Sequence, residues 1–310
     1  MIRYLRELIP SCIFRRSLRP KLSKIDNHDP DYIRKRLEYY NKLSELTPLS
    51  NPAAPLRNLT LPKRLKVYYF DTVEYTRYFQ DTLRANFAFG DVTHIPKEPS
   101  IVKSRPISGE NKNSVLLKLN KIRHFTFVKN DILYKQKTDR LVWRGVVLTK
   151  HRADFLAMYL HHPMCDVGKI NQNEEHPEWL KNRLTINQHL KFKFILCIEG
   201  NDVASNLKWV MSSNSVAVMP KPKYETWFME GTLIPDYHYI LIRDDFSDLV
   251  ERLTYYLANP EKAEQIVKNA NKYVNQFRDK KREDLLSLLV LEKYFVMTDQ
   301  MNQISNFSKL

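Results

Sequence analysis

From residue 140 onward the chain carries four apolar runs, each short enough to be a strand, separated by segments with helical spacing. They are "RLVWRGVVL" (140–148), "FKFILCI" (192–198), "SVAVM" (215–219) and "HYILI" (238–242). Strands buried on both faces read as continuous apolar runs, and strands that alternate with helices form a parallel sheet. A helix bearing Phe155, Leu156 and Tyr159 follows the first run, and the short helical "VASNLKWVM" follows the second. Two further helices close the region. In the first, Leu249, Leu253, Tyr256 and Leu257 share a face. The second opens at Asn259-Pro260-Glu261, a cap and a proline at the first helical position, and turns Ala263, Ile266, Val267, Ala270, Tyr273 and Phe277 inward. Residues 137–276 are therefore expected to form a Rossmann-type α/β domain, which binds ligands at the carboxyl ends of its strands.

The remaining segments frame that domain. "DPDYIRKRLEYYNKLSEL" (29–46) predicts a helix capped by Asp29, with Pro30 in its first turn and Ile33, Leu37 and Tyr40 on one face. The D-P-D triplet matches a metal-binding D-x-D pattern, but its place before a helix identifies it as a cap. "NPAAPLRNLTLPKR" (51–64) reads as loop, "LKVYYF" (65–70) as a strand and 71–86 as a helix. Prolines 96, 99 and 106 leave the stretch from Gly90 to Arg123 mostly as loop. This division predicts an N-terminal domain over 1–136, which the family resemblance below makes the acceptor side, and a helical extension over 277–310 that packs back on it.

A chain of 310 residues accommodates two such domains. Its 43% hydrophobic and 27% charged residues fit a packed, soluble protein, and no apolar run reaches the length of a membrane span. Cys12, Cys165 and Cys197 suggest neither a disulfide framework nor a zinc site, so a reducing, cytoplasmic location is expected. The nine histidines show no ligand spacing, and neither a metal nor another cofactor is expected. The net charge of +15 asks for an anionic partner. Residues 1–24 hold Arg3, Arg6, Arg15, Arg16, Arg19, Lys21 and Lys24 against Glu7, interleaved with Ile2, Tyr4, Leu5, Leu8 and Ile9. Such a segment either lies on an anionic membrane face or docks on the protein body.

Among only six glycines, Gly200 falls just after "FKFILCI" and is followed by Asn201, Asp202, Asn206 and Lys208. A helix opening there would offer unpaired amides to a phosphate. Without a G-x-G-x-x-G pattern a dinucleotide site of that type is not expected. Asp202 would repel a phosphate, and suits a sugar hydroxyl or a purely structural turn.

The blocks "FKFILCIEGNDVASNLKWVMSSNSVAVMPKPKYETWFMEGTLIPDYHYILIRDDFSDL", "KSRPISGENKNSVLLKLNKIRHF" (103–125) and "WRG" (143–145) occur in an order that resembles glycosyltransferase family 90. That family includes CAP10-like capsule enzymes and protein O-glucosyltransferases; the likeness is closest to bacterial lipopolysaccharide glycosyltransferases of the LpsA type. It covers roughly residues 86–276. It implies a GT-B fold, with two Rossmann-like domains facing across a cleft, and metal-independent transfer of a sugar with inversion. The donor implied is a nucleotide sugar, of the uridine type, and the acceptor a lipopolysaccharide or related glycan at the inner membrane surface. The family's base aligns with Asp91 in "FGDVTHIP"; a turn cap is the structural alternative for that residue. Donor binding is implied for Arg144, Gly145, Arg152, Gly200, Lys208 and Glu225. Asn206 stands where eukaryotic members carry a diphosphate-binding arginine, and Glu225, in "YETWFMEG", is placed for ribose hydroxyls. Trp209 and Trp227 are read as core. The competing class is a basic nucleic-acid-binding protein with a Rossmann-like core, although no nucleic-acid-binding motif is present.

Overall fold

The structure, a computed structural model, describes residues 11–50, 53–172 and 175–302. The chain forms an α/β fold divided into two compact units. The first comprises the chain up to Lys121, Tyr224–Phe228 and the chain from Phe277 onward; the second comprises Ile122–Lys223 and Met229–Gln276. Residues 122–136 thus pack with the second unit, and the segment around Glu225 with the first. Of the basic segment 1–24, residues 1–10 lie outside the described residues.

In the first unit, helix α1 (Pro30–Tyr40) begins where the Asp29 carboxylate accepts the amides of Asp31 (3.0 Å) and Tyr32 (3.3 Å). The D-P-D triplet is thereby a helix cap. Ile33, Arg36, Leu37 and Tyr40 are buried. After β1 (Ala54–Pro55), "LKVYYF" is not a strand; it leads into helix α2 (Lys66–Thr76). The buried positions Tyr68, Asp71, Thr72, Tyr75 and Thr76 have helical spacing, so the helix expected from 71 is present to Thr76 and extends back through the aromatic run read as a strand. By residue 84 the chain is already in β2 (Arg84–Ala88). The stretch expected as loop contains β3 (Ser100–Val102), β4 (Ser104–Pro106) and β5 (Ser114–Leu116). Strands β2, β3 and β5 pair in parallel, and β1 joins β2 antiparallel.

The second unit follows with β6 (Thr138–Gly145), α3 (Lys150–Tyr159), β7 (Cys165–Lys169), β8 (Phe192–Leu196), α4 (Leu207–Met211) and β9 (Val216–Met219). The chain then returns to the first unit, where β10 (Tyr224–Thr226) pairs antiparallel with β4. Strand β11 (Ile240–Leu241) and helices α5 (Leu249–Ala258) and α6 (Pro260–Asn275) complete the second unit. Its described strands form a sheet in the order β7-β6-β8-β9-β11, parallel throughout. This is the flavodoxin-like doubly wound order. Leu141, Phe194, Leu196, Val216 and Val218 pack in the same core as Phe155, Leu249, Leu253 and Ile266. At the start of α6, Asn259 does not cap the helix; its side-chain amide donates to the Tyr255 carbonyl (2.8 Å).

Helix α7 (Lys280–Met297) belongs to the first unit and carries its buried charge centre. The Glu283 carboxylate accepts from Arg36, from Trp227 Nε1 (2.6 Å) and from Lys118 (3.5 Å). Tyr40 stacks on Trp227 with ring centroids 3.7 Å apart, so Trp227 is core. Removing a carboxylate that neutralises two buried cations is costly, whereas the intact centre adds little net stability.

Candidate active site

In a sheet of this order the crevice for ligands opens where the chain winds away to both sides, at the carboxyl ends of the first and third strands. Here these are β6 and β8. Arg152, in the first turn of α3, joins both ends. Its Nη1 donates to the Val146 carbonyl beyond β6 (2.8 Å), its Nη2 to Ile198 (2.9 Å) and its Nε to Glu199 (2.9 Å), both beyond β8. His151 Nε2 also lies 2.9 Å from the Glu199 carbonyl. Burial and the charge of Arg123 lower the Arg152 guanidinium to about 10, so it stays cationic at neutral pH.

Both glycines of this crevice have steric reasons to be glycine. A Cβ at Gly200 would sit 3.0 Å from Arg152 Nη2 and 3.2 Å from its Cζ. A Cβ at Gly145 would lie 2.2 Å from Trp143 Cζ2. The Trp143 ring folds over Gly145, and the Arg152 guanidinium stands 5.5 Å from the ring centroid. Arg152, Gly145, Gly200 and Trp143 therefore form one group. The sequence reading missed Trp143; a tryptophan two residues before a glycine at a strand end was the available sign.

The other expected residues have these partners. Arg144 donates to the Asp166 carboxylate (2.7 Å) and to the Asp166 carbonyl (2.7 Å). Burial raises the Asp166 carboxyl, yet the hydrogen bonds from Arg144 and Lys181 hold it below its ordinary value. Asn206 donates to the Leu196 carbonyl at the end of β8 (2.8 Å). Lys208 is fully buried and ion-paired with Glu230. Glu225 is buried in the first unit, where Arg105 Nε (2.8 Å) and the Tyr39 hydroxyl donate to it. Each of these four side chains has a structural partner within its own unit.

Asp91 also lies in the first unit. It follows Gly90, whose φ of +103° lets the chain turn sharply after β2. Lys103 Nζ, almost wholly buried, donates to Asp91 Oδ1 (2.6 Å), while Asp91 remains about one-third exposed. Tyr68 stands beside this pair. Burial pushes its phenol above the ordinary value, with Lys103 opposing and Asp91 adding to the rise. An accessible carboxylate fixed by a buried ammonium is a group that can accept a proton from a ligand. Sequence reasoning did not single out Lys103 or Tyr68.

The family described as glycosyl transferase family 90 matches this chain over residues 118–296. The O-glucosyltransferase LpsA of Dichelobacter nodosus is 42% identical over 268 residues, covering 86% of this chain and 84% of that protein. The chain belongs to glycosyltransferase family 90. Glycosyl transfer is the chemistry that goes with this membership, and it decides between the enzyme and the nucleic-acid-binding protein in favour of the enzyme. More distant family likeness extends to protein O-glucosyltransferase 3 of Homo sapiens, 26% identical over 182 residues, which are 54% of this chain and 36% of that one. The family match includes the Arg152 crevice; Asp91 precedes it in the chain.

Proposed function

We propose that this protein is a metal-independent, inverting glycosyltransferase that moves a hexose from a uridine-diphosphate sugar to a hydroxyl of a lipopolysaccharide-type glycan. The observation that carries the reading is the Arg152 guanidinium at the carboxyl ends of β6 and β8, beside Gly200. A positive charge held rigidly at the switch point meets the charge that develops on a departing diphosphate. Gly145 and Gly200 let Trp143 and Arg152 pack directly against the backbone at these strand ends.

In the reaction Asp91 takes the proton of the acceptor hydroxyl as that oxygen bonds to the anomeric carbon. The bond from that carbon to the diphosphate oxygen breaks on the opposite face, and the nucleotide leaves with the electron pair. Configuration inverts at the anomeric carbon. Lys103 keeps the carboxylate oriented. The reading includes the GT-B arrangement implied by the resemblance and a cytoplasmic enzyme that works at the inner membrane face. The name of the Dichelobacter nodosus relative, an O-glucosyltransferase, favours glucose as the transferred sugar and oxygen as the acceptor atom.

The test is a panel of nucleotide sugars, read by melting temperature and by donor hydrolysis. The matching donor, at a hundred times its Kd, stabilises the protein by about 2.7 kcal/mol, and it alone is hydrolysed. The proposal fails if no nucleotide sugar raises the melting temperature or releases sugar.

A further inference from the structure

A cavity of about 460 Å³ opens in the second unit among α5, α6 and the turn before β11. Asp236, Tyr237, Arg252, Tyr255, Lys262 and Asn269 contribute to its lining. Asp236 and Tyr237 precede the edge strand, and the last turn of α5 and first turn of α6 supply Tyr255 and Lys262. The cavity is thus built at the amino end of β11, whereas the Arg152 crevice lies at the carboxyl ends of β6 and β8.

Its walls are fixed before any ligand arrives. Asp236 holds a left-handed backbone (φ +57°), and its amide donates to the Tyr239 carbonyl (2.8 Å). Its Oδ1 accepts from the Leu241 amide (3.2 Å), the Tyr256 hydroxyl (3.2 Å) and Arg252 Nη2. Arg252 Nε donates to the Leu241 carbonyl (3.1 Å), and among the described residues its Nη1 has no acceptor. Asn269 fixes the turn through the Tyr237 carbonyl (3.0 Å).

The exposed chemistry is that of a sugar-binding surface. Tyr237 and Tyr255 remain 46% and 41% exposed, large aromatic faces of the kind on which the C–H side of a pyranose ring packs. Lys262 is anchored to the Tyr255 hydroxyl, so a cation stands at the edge of one of these rings. Arg252 and Lys262 together exceed the single charge of Asp236, which favours an acidic over a neutral sugar.

We propose that this cavity binds an acidic sugar unit of a glycan, one carrying a carboxylate or a phosphate, at a site separate from the Arg152 crevice. A fixed pocket with aromatic platforms and two cations loses little order on binding such a unit. The inference does not depend on which donor the enzyme uses.

Calorimetric titration of the full chain with glucuronate, glucose 6-phosphate and methyl glucoside tests it. At least one acidic sugar should bind about tenfold more tightly than the neutral one, and Tyr255→Ala or Lys262→Gln should weaken it about tenfold. Both substitutions change exposed side chains, and an unchanged melting temperature confirms that the fold persists. Arg152→Gln should leave this binding unaffected. Which acidic sugar binds identifies the recognised group. The proposal is overturned if neither acidic sugar binds at tens of millimolar, if the neutral sugar binds equally well, or if Arg152→Gln abolishes binding while Tyr255→Ala does not.

Discussion

Arg152 both closes the ends of two strands and presents a charge, and substitutions can separate these roles. Lysine keeps the charge but cannot reach the Val146, Ile198 and Glu199 carbonyls together. Arg152→Lys should therefore cost about 1–3 kcal/mol from carbonyls left without a donor, read in urea unfolding, and should retain part of the donor affinity. Arg152→Gln should show a similar stability loss and lose the charge-dependent donor affinity as well; equal donor binding by the two variants would remove the charge from the proposed role. Gly200→Ala tests the same crevice from its other wall, since its new Cβ stands 3.0 Å from Arg152 Nη2. It should raise the donor KM while leaving most of the stability intact. For the base, Asp91→Asn should preserve donor binding and reduce turnover by roughly 10²–10⁴. Near-normal turnover would move the role to another carboxylate. Asp131 is poorly placed to take it, because Lys137 binds both of its oxygens at 2.8 Å in a buried pair; Glu110 is the better replacement.

At the scale of elements, the first unit depends on a helix cap and a charge centre of different weight. Asp29→Ala removes the acceptor of two amides and should cost about 1 kcal/mol. Glu283→Gln leaves Arg36 and Lys118 without their carboxylate and should cost about 3–5 kcal/mol. Urea unfolding checks both, and an equal effect of the two would contradict this ranking. The elements also show what the sequence makes legible. Strands β6, β8 and β9 are apolar runs because both their faces are buried, and the helices around them show apolar periodicity; these were readable. Strand β7 was not, because "CDVGK" contains just two apolar side chains and a glycine required by the close approach of Lys181, 2.7 Å from where a Cβ would stand. The first turn and a half of helix α2 was misread because the aromatic run "VYYF" also suits a strand, whereas its part from 71 to 76 was read as helix. Among the expected site residues, Gly200 was singled out by its position after a strand, and Arg152 by the family resemblance. Their mutual contact, the Trp143 cover and the engagement of Lys208 with Glu230 are tertiary facts with no local pattern.

For the whole molecule, the net charge of +15 can now be divided between structural pairs and free surface. Part of the basic amino-terminal segment belongs to the body of the first unit. Arg15 pairs with Asp81 at 2.8 Å, the Phe14 and Tyr78 rings meet at 5.3 Å, and Leu22 and Ile25 are buried. Deleting residues 2–24 would remove the contacts of Phe14, Arg15 and Leu22 and confound any measurement of membrane binding with instability. Among the described residues of this segment, Arg16, Arg19 and Lys24 are exposed and available to meet an anionic surface. No helix among the described residues is long and apolar enough to cross a membrane. Near an anionic bilayer each such residue contributes about 1 kcal/mol, and salt screens the attraction over a length of about 10 Å at 0.1 M. Replacing Arg16, Arg19 and Lys24 together by Gln should lower the affinity for phosphatidylglycerol-containing vesicles by up to about a hundredfold at low salt. Melting temperature and hydrolysis of a soluble donor should stay near those of the unaltered chain. The difference should shrink as salt is raised, because the lost attraction is electrostatic. Unchanged vesicle binding by the triple variant would place the membrane-facing charge elsewhere on the protein.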